Sequence, residues 1–154
     1  MSFDYFVAMH EQNWPASNAI QGALDRLGYP VQLVAASDSP IDVRNGTLSV
    51  IFEGRSVEIG AAAEQAAGVD DRESLFGYIT QAASPTYAIR NGDYFLILTF
   101  SSDADEIRAG LYLAAAMIQS FNGYGFENQY ESHGQSAFAE QMVREAANQS
   151  VWID

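Results

Sequence analysis

The chain of 154 residues contains no cysteine and no lysine. Without cysteine there is no disulfide framework, no thiolate site for zinc or an iron–sulfur cluster, and no thiol nucleophile. Without lysine there is no Schiff-base amine and no P-loop lysine. The seven basic residues are all arginine (positions 26, 44, 55, 72, 90, 108 and 144) and stand against 20 acids, for a formal net charge of −13. A surface of that sign repels a phosphate backbone, which argues against general nucleic-acid binding. Long apolar runs are missing as well. The longest uncharged, apolar-rich stretch, Ala109 to Phe121, has 13 residues, where a membrane span needs about 20. The opening MSFDYFVAMHEQNW has neither a basic n-region nor a long apolar h-region, so no signal peptide is expected and the default location is the cytoplasm. The missing lysine has an ordinary explanation in codon usage: a GC-rich genome favours Arg and Ala codons, and alanine occurs 23 times.

What is present suits a packed core. Apolar residues make up 48% of the chain, with nine Phe, eight Tyr and two Trp, so the acidity does not signal disorder. The acids are scattered and form no acidic tail. No repeat and no low-complexity linker divides the chain, and a single domain over 1–154 is expected.

Periodicity and turn signals lay out the elements. Phe3 to Ala8 is a short apolar run that fits a first strand. Asn13-Trp14-Pro15 opens a helix with Pro in its first turn, and Ile20, Leu24 and Leu27 form its apolar stripe. Gly28 ends it and Pro30 forbids continuation. Val31 to Ala35 reads as a buried strand. Asn45-Gly46 is a strong turn signal. Thr47–Glu53 and Ser56–Ile59 form a hairpin with two open registers: a Glu53-Gly54 loop pairs Val50 with Val57, and a Gly54-Arg55 loop pairs Phe52 with Val57. Both keep apolar residues on one face. Residues 61–67 are Ala-rich and read equally as strand end or helix. Asp70, Asp71 and Glu73 mark an acidic helix start, with Leu75, Ile79 and Ala82 as a thin stripe broken by Ser84-Pro85. Asn91-Gly92 reads as the turn of a second hairpin, joining Thr86–Arg90 to Asp93–Phe100 with Arg90 opposite Asp93. The run Tyr94–Phe100 lacks polar alternation, as expected of a central strand covered on both faces. Asp103 and Glu106, or Ser102 and Asp105, have capping-box spacing ahead of the longest helix, which carries Ile107, Leu111, Ala114, Ala115, Ile118 and Phe121 and stops at Asn122-Gly123. Tyr124 to Glu131 reads as a last strand. A final helix carries Phe138, Met142, Val143 and Ala146, and Val151-Trp152-Ile153 is an apolar terminus expected to dock. The expected class is α+β: a largely antiparallel sheet of six or seven strands built from hairpins, with three to five helices packed on it.

Enzyme signatures fail on inspection. Gly134-Gln135-Ser136-Ala137-Phe138 lacks the closing glycine of a nucleophile elbow. Gly123-Tyr124-Gly125 lacks the third glycine of a dinucleotide loop and follows a helix. No HExxH occurs, and His10 and His133 are far apart in the chain. A strand through 124–131 would put Glu127, Gln129, Glu131 and His133 on one face, a row that resembles a metal site but is equally a solvated edge face. No metal and no cofactor is expected. Asp70, Asp71 and Glu73, like Asp103, Asp105 and Glu106, are explained as helix starts, and acids in such places can also face a partner.

Four segments together carry a resemblance: FDYFVAMHEQNWPASNAIQGALDRLGYPVQL, GTLSVIFEGRSVEIGAA, DYFLILTFSSDADEIRAGLYLAAAMIQSFNG and YGFENQYESHGQSAFAEQMVREA. Their layout resembles small uncharacterised bacterial α+β proteins, some similar in style to immunity proteins of polymorphic toxin systems. The resemblance implies a compact acidic protein that binds a toxin domain, and it transfers no residue roles. Two readings follow. In the first, a non-enzymatic acidic protein occludes a basic partner through Asp70, Asp71, Glu73, Glu127 and Glu131. In the second, a small-molecule-binding domain or cryptic enzyme uses a pocket between the sheet and the long helix, with Arg108, Tyr112, Tyr130 and His133 as its polar groups. A homo-oligomer is compatible with either.

Overall fold

The structure is a computed structural model in which residues 3–41, 43 and 45–148 are described. The elements run β1 (Phe3–Met9), a 3-10 turn (Glu11–Asn13), α1 (Ser17–Leu27), β2 (Val31–Leu33), β3 (Thr47–Phe52), β4 (Arg55–Gln65), α2 (Leu75–Ala83), β5 (Tyr94–Phe100), α3 (Ala104–Phe121), β6 (Tyr124–Glu127), β7 (His133–Gly134) and α4 (Ser136–Ala147). The strands form one sheet in the order β2-β3-β4-β5-β1-β6-β7, with every neighbouring pair antiparallel. The fold is therefore α+β with helices packed on an antiparallel sheet, as the hairpin signals imply.

Both faces of the central strands are covered. Along β1, Val7 and Met9 enter one apolar cluster while Phe6 and Ala8 enter a second. This is the two-residue period of a strand read from both sides. In β5, Leu96, Leu98 and Phe100 face the first cluster and Phe95 the second, which explains the unbroken apolar run. Helices α1, α3 and α4 supply the first cluster; α2 and the segment carrying Tyr87 and Ile89 supply the second. Helix α3 is buried continuously from Ile107 to Ile118. Its small residues allow this close approach. A Cβ at Gly110 would overlap the Phe100 ring.

The first hairpin adopts the Glu53-Gly54 loop, with Val50 opposite Val57 and Leu48 opposite Ile59. Glu53 and Gly54 both have positive φ, 51° and 82°, as a two-residue turn that matches the strand twist requires. Residues 61–65 continue β4 instead of starting a helix, because β5 pairs with them through Gln65. The apolar terminus 151–153 lies outside the described residues.

Several expectations are corrected. Helix α1 starts at Ser17, beyond Pro15, with Ala16 in the N-cap position. Alanine cannot cap, so the amides of Ser17 and Asn18 donate instead to the carbonyls of Ser39 and Ser37, each at 2.8 Å. Strand β2 stops at Leu33, and Ala35 turns the chain with a φ of 61°. The expected second hairpin does not form. Strand β5 already has β4 on one side and β1 on the other, so no edge is left for residues 86–90. That segment instead buries Tyr87 and Ile89 on the second face. Asp93 is consequently buried and does not form an exposed pair with Arg90. The last strand ends at Glu127 and a short β7 follows at His133–Gly134, so Glu127, Gln129, Glu131 and His133 form no single-faced row.

Candidate functional site

The loop joining β6 to β7 is organised around one carboxylate. Glu127 is 4% exposed. Its Oε2 accepts the Gln129 amide at 2.8 Å, its Oε1 accepts the Ser132 amide at 3.0 Å, and both oxygens accept the Tyr130 amide. The Glu127 amide in turn donates to the Ser132 carbonyl at 2.9 Å. A buried carboxylate is tolerated when hydrogen bonds replace its water, and here three amides do so. Glu127 is therefore not a partner-contacting acid, as the sequence suggests, but the hub that shapes the loop. What the loop displays is Tyr130, 80% exposed, and Glu131, held at a φ of 58°.

Asp70, Asp71 and Glu73 lie in turns just ahead of α2. The cap of that helix is Ser74, whose Oγ accepts the Gly77 amide at 3.0 Å and donates to the Gly68 and Asp71 carbonyls at 2.8 Å. The Asp71 side chain accepts the Glu73 amide at 3.0 Å. The Asp71 carbonyl sits over Gly77, where a Cβ would collide with it, so the acidic turn is folded back onto the first turn of α2. All three acids are exposed, and none forms an ion pair with a cationic side chain among the described residues.

These two acidic segments meet. The Tyr78 hydroxyl donates to Glu131 Oε1, and its ring stands edge-on to Phe126 at 5.8 Å. The phenol pKa is raised first by that hydrogen bond. Helix α2 buries Ile79 as expected, together with Gly77 and Ala83, and Ala82 packs half-buried on the same cluster. Leu75, also expected on that stripe, is left 49% exposed and Tyr78 42% exposed, one helical turn apart. Among the described residues five large hydrophobic side chains are exposed, and three of them (Leu75, Tyr78 and Tyr130) belong to this region. Four of the five acids named from the sequence, Asp70, Asp71, Glu73 and Glu131, thus belong to the same two chain segments as these exposed apolar side chains. The periodicity puts Leu75 on the buried stripe; the stripe that forms is Phe76, Ile79 and Ala83, which leaves Leu75 and Tyr78 off it.

The pocket residues do not converge. Arg108 is buried; its Nε donates to the Ala146 carbonyl at 2.6 Å, one terminal nitrogen reaches Glu53 at 3.2 Å, and its guanidinium lies 5.0 Å over the Phe52 ring. Tyr112 packs its ring against Tyr29 and Phe52 in the first cluster. His133 shares a hydrogen bond with the Tyr124 hydroxyl and stacks on Phe126, both members of the second cluster. The sheet separates His133 from Arg108 and Tyr112, and Tyr130 stands exposed on the β6–β7 loop. The sheet–α3 interface is filled by Leu111, Ala114 and Ala115, all fully buried. A cleft of about 730 Å³ lies elsewhere, between the start of α1 and the β2–β3 edge, and is lined by Ser17, Leu33, Ser37, Ile41 and Ser49 among others.

A polar cluster joins residues that are distant in the sequence. Asp93 accepts His10 Nδ1 at 2.9 Å, the Arg90 amide at 3.0 Å and the Glu11 amide at 3.2 Å. The His10 ring stacks on Tyr87 at 4.6 Å, and the buried Tyr87 hydroxyl has no hydrogen-bond partner. Burial pushes that phenol up to about 12; the His10 backbone lies near enough to pull it partly back, in a geometry that falls short of a hydrogen bond. The cluster ties the end of β1 to the approach of β5. No sequence spacing links residues 83 positions apart. Among the described residues no group of three or more His, Asp or Glu side chains could hold a metal ion, and no helix is long and apolar enough to cross a membrane. Comparisons with protein families, with curated proteins and with solved structures find no match.

Proposed function

We propose that the protein is a non-enzymatic acidic binding protein, most concretely an immunity-type inhibitor that acts in the cytoplasm by covering the basic cleft of a toxin domain such as a nuclease. One observation carries this reading. Of the described acids, only Asp93 and Glu127 are buried, so the other described carboxylates stand at least partly in solvent, in a chain of formal net charge −13. A surplus of that kind draws in a cationic partner and speeds encounter, and salt weakens both effects. Nuclease domains are basic because their substrate is polyanionic, which makes their clefts natural counterparts.

The test is reconstitution with the products of the adjacent genes. Equimolar protein should abolish the toxic activity of one of them, and the complex should loosen as salt rises. A full set of neighbours left active at equimolar ratio overturns the proposal.

A further inference from the structure

The surface of the molecule is acidic in many places but joins acids to exposed apolar side chains on α2 and the β6–β7 loop. We infer that this face, built on Leu75, Tyr78 and Tyr130 and bordered by Asp70, Asp71, Glu73 and Glu131, docks a basic protein surface in which an apolar recess is ringed by arginine or lysine. The inference rests on the acidic-binding reading above and names the face that performs it.

Three observations support the assignment. The first is composition: protein interfaces are enriched in aromatic side chains, and a few central anchors carry most of the affinity. Tyr130 at 80% exposure, with Leu75 and Tyr78, supplies side chains of the anchoring type, and three of the five exposed large hydrophobics among the described residues belong to these two segments. The second is preorganisation. Tyr130 is carried on a loop whose amides at 129, 130 and 132 are fixed by the buried Glu127 carboxylate, and Tyr78 is tied to Glu131. A face already held in shape loses little conformational entropy on binding. The third is charge. The bordering acids lack cationic partners among the described residues, so their neutralisation is left to whatever covers the face. A second copy of this chain would bring the same acids together and is disfavoured.

The experiment uses the whole chain, isotope-labelled, and two synthetic probes: an amphipathic peptide of arginine and leucine, and an oligo-arginine of equal charge. At low salt the amphipathic peptide should perturb the amides around Leu75, Tyr78, Tyr130 and Glu131 first. The double variant Leu75→Ala with Tyr130→Ala, both exposed sites whose truncation spares the core, should weaken that peptide about tenfold or more while moving oligo-arginine by less than about twofold. Binding that maps to another acidic area, such as Glu58 and Glu64 on β4, would sink the face assignment and leave the acidic-binding reading standing. No binding of either peptide at low salt would sink both.

Discussion

Glu127 grips the backbone amide of Tyr130 with both carboxylate oxygens, at 2.9 and 3.1 Å. A side chain that reads as a surface acid is thus the internal support of a displayed aromatic. The Glu127→Gln variant keeps the shape but turns one acceptor into a donor facing amide donors. Leaving a buried donor unmatched costs about 1–3 kcal/mol. Urea unfolding should show a loss of that size, and amide exchange at Gln129, Tyr130 and Ser132 should quicken. Wild-type stability with unchanged exchange would show that the loop does not depend on this carboxylate.

Tyr87 offers the opposite case. Its hydroxyl is buried without a partner, so Tyr87→Phe keeps the ring stacked between His10 and Tyr124 while removing a desolvated polar group. Thermal unfolding at neutral pH should show a gain of about 1 kcal/mol, within the range for relieving an unmatched buried group. A loss would mean that the hydroxyl makes a stabilising interaction after all.

The same residue sets an alkaline limit. Burial raises the Tyr87 phenol from 10.0 to about 12, and burial also raises Tyr5 and Tyr124. Below pH 10 these phenols are protonated in both states and contribute no pH dependence. Between pH 10 and 12 the unfolded chain loses protons that the folded chain retains, so stability falls as pH rises. Denaturant midpoints should be flat on this account up to about pH 10 and decline above it, and the decline should be shallower in Tyr87→Phe. Equal slopes in the two proteins would remove Tyr87 as a cause.

Two helical glycines should respond with opposite signs. At Gly22 in α1 the nearest obstacle to a Cβ is the flexible end of Arg26, 3.8 Å away. Gly22→Ala should therefore stabilise by about 0.5–1 kcal/mol, the ordinary helix-propensity gain. At Gly110 in α3 a Cβ would overlap the Phe100 ring, itself fully buried. Gly110→Ala should destabilise by about 1–3 kcal/mol through overpacking, in spite of the same propensity gain. Chemical denaturation of the pair checks the sign directly.

Arg108 shows why a polar residue in the longest helix suggested a pocket. Nothing in the local pattern around Ile107 and Leu111 indicates that α4 ends beside it, yet its Nε caps the Ala146 carbonyl at 2.6 Å. Helix C-termini leave carbonyls without intrahelical donors, and a guanidinium from a neighbouring helix fills that need. His10 and Asp93 teach the same lesson. Each stands beside a recognisable element, and only the pairing of β1 with β5 brings them together, with Met9 opposite Tyr94.

Short-range sequence signals account for the local devices. Asn45-Gly46 turns the chain, Gly28 and Asn122 end helices in the left-handed conformation, and the unbroken run Tyr94–Phe100 announces a strand buried on both sides, whereas the choice of Glu53-Gly54 over Gly54-Arg55 as the hairpin loop comes only with the strand pairing. These follow from backbone sterics and periodicity within a few residues. Tertiary structure alone decided which acids face outward. Glu127 and Glu131 are four residues apart in one short segment, yet one is sealed beneath the loop and the other stands beside Tyr78. A carboxylate goes inside only where the fold happens to aim several amides at one point, and that convergence depends on the path of the chain, not on the residue.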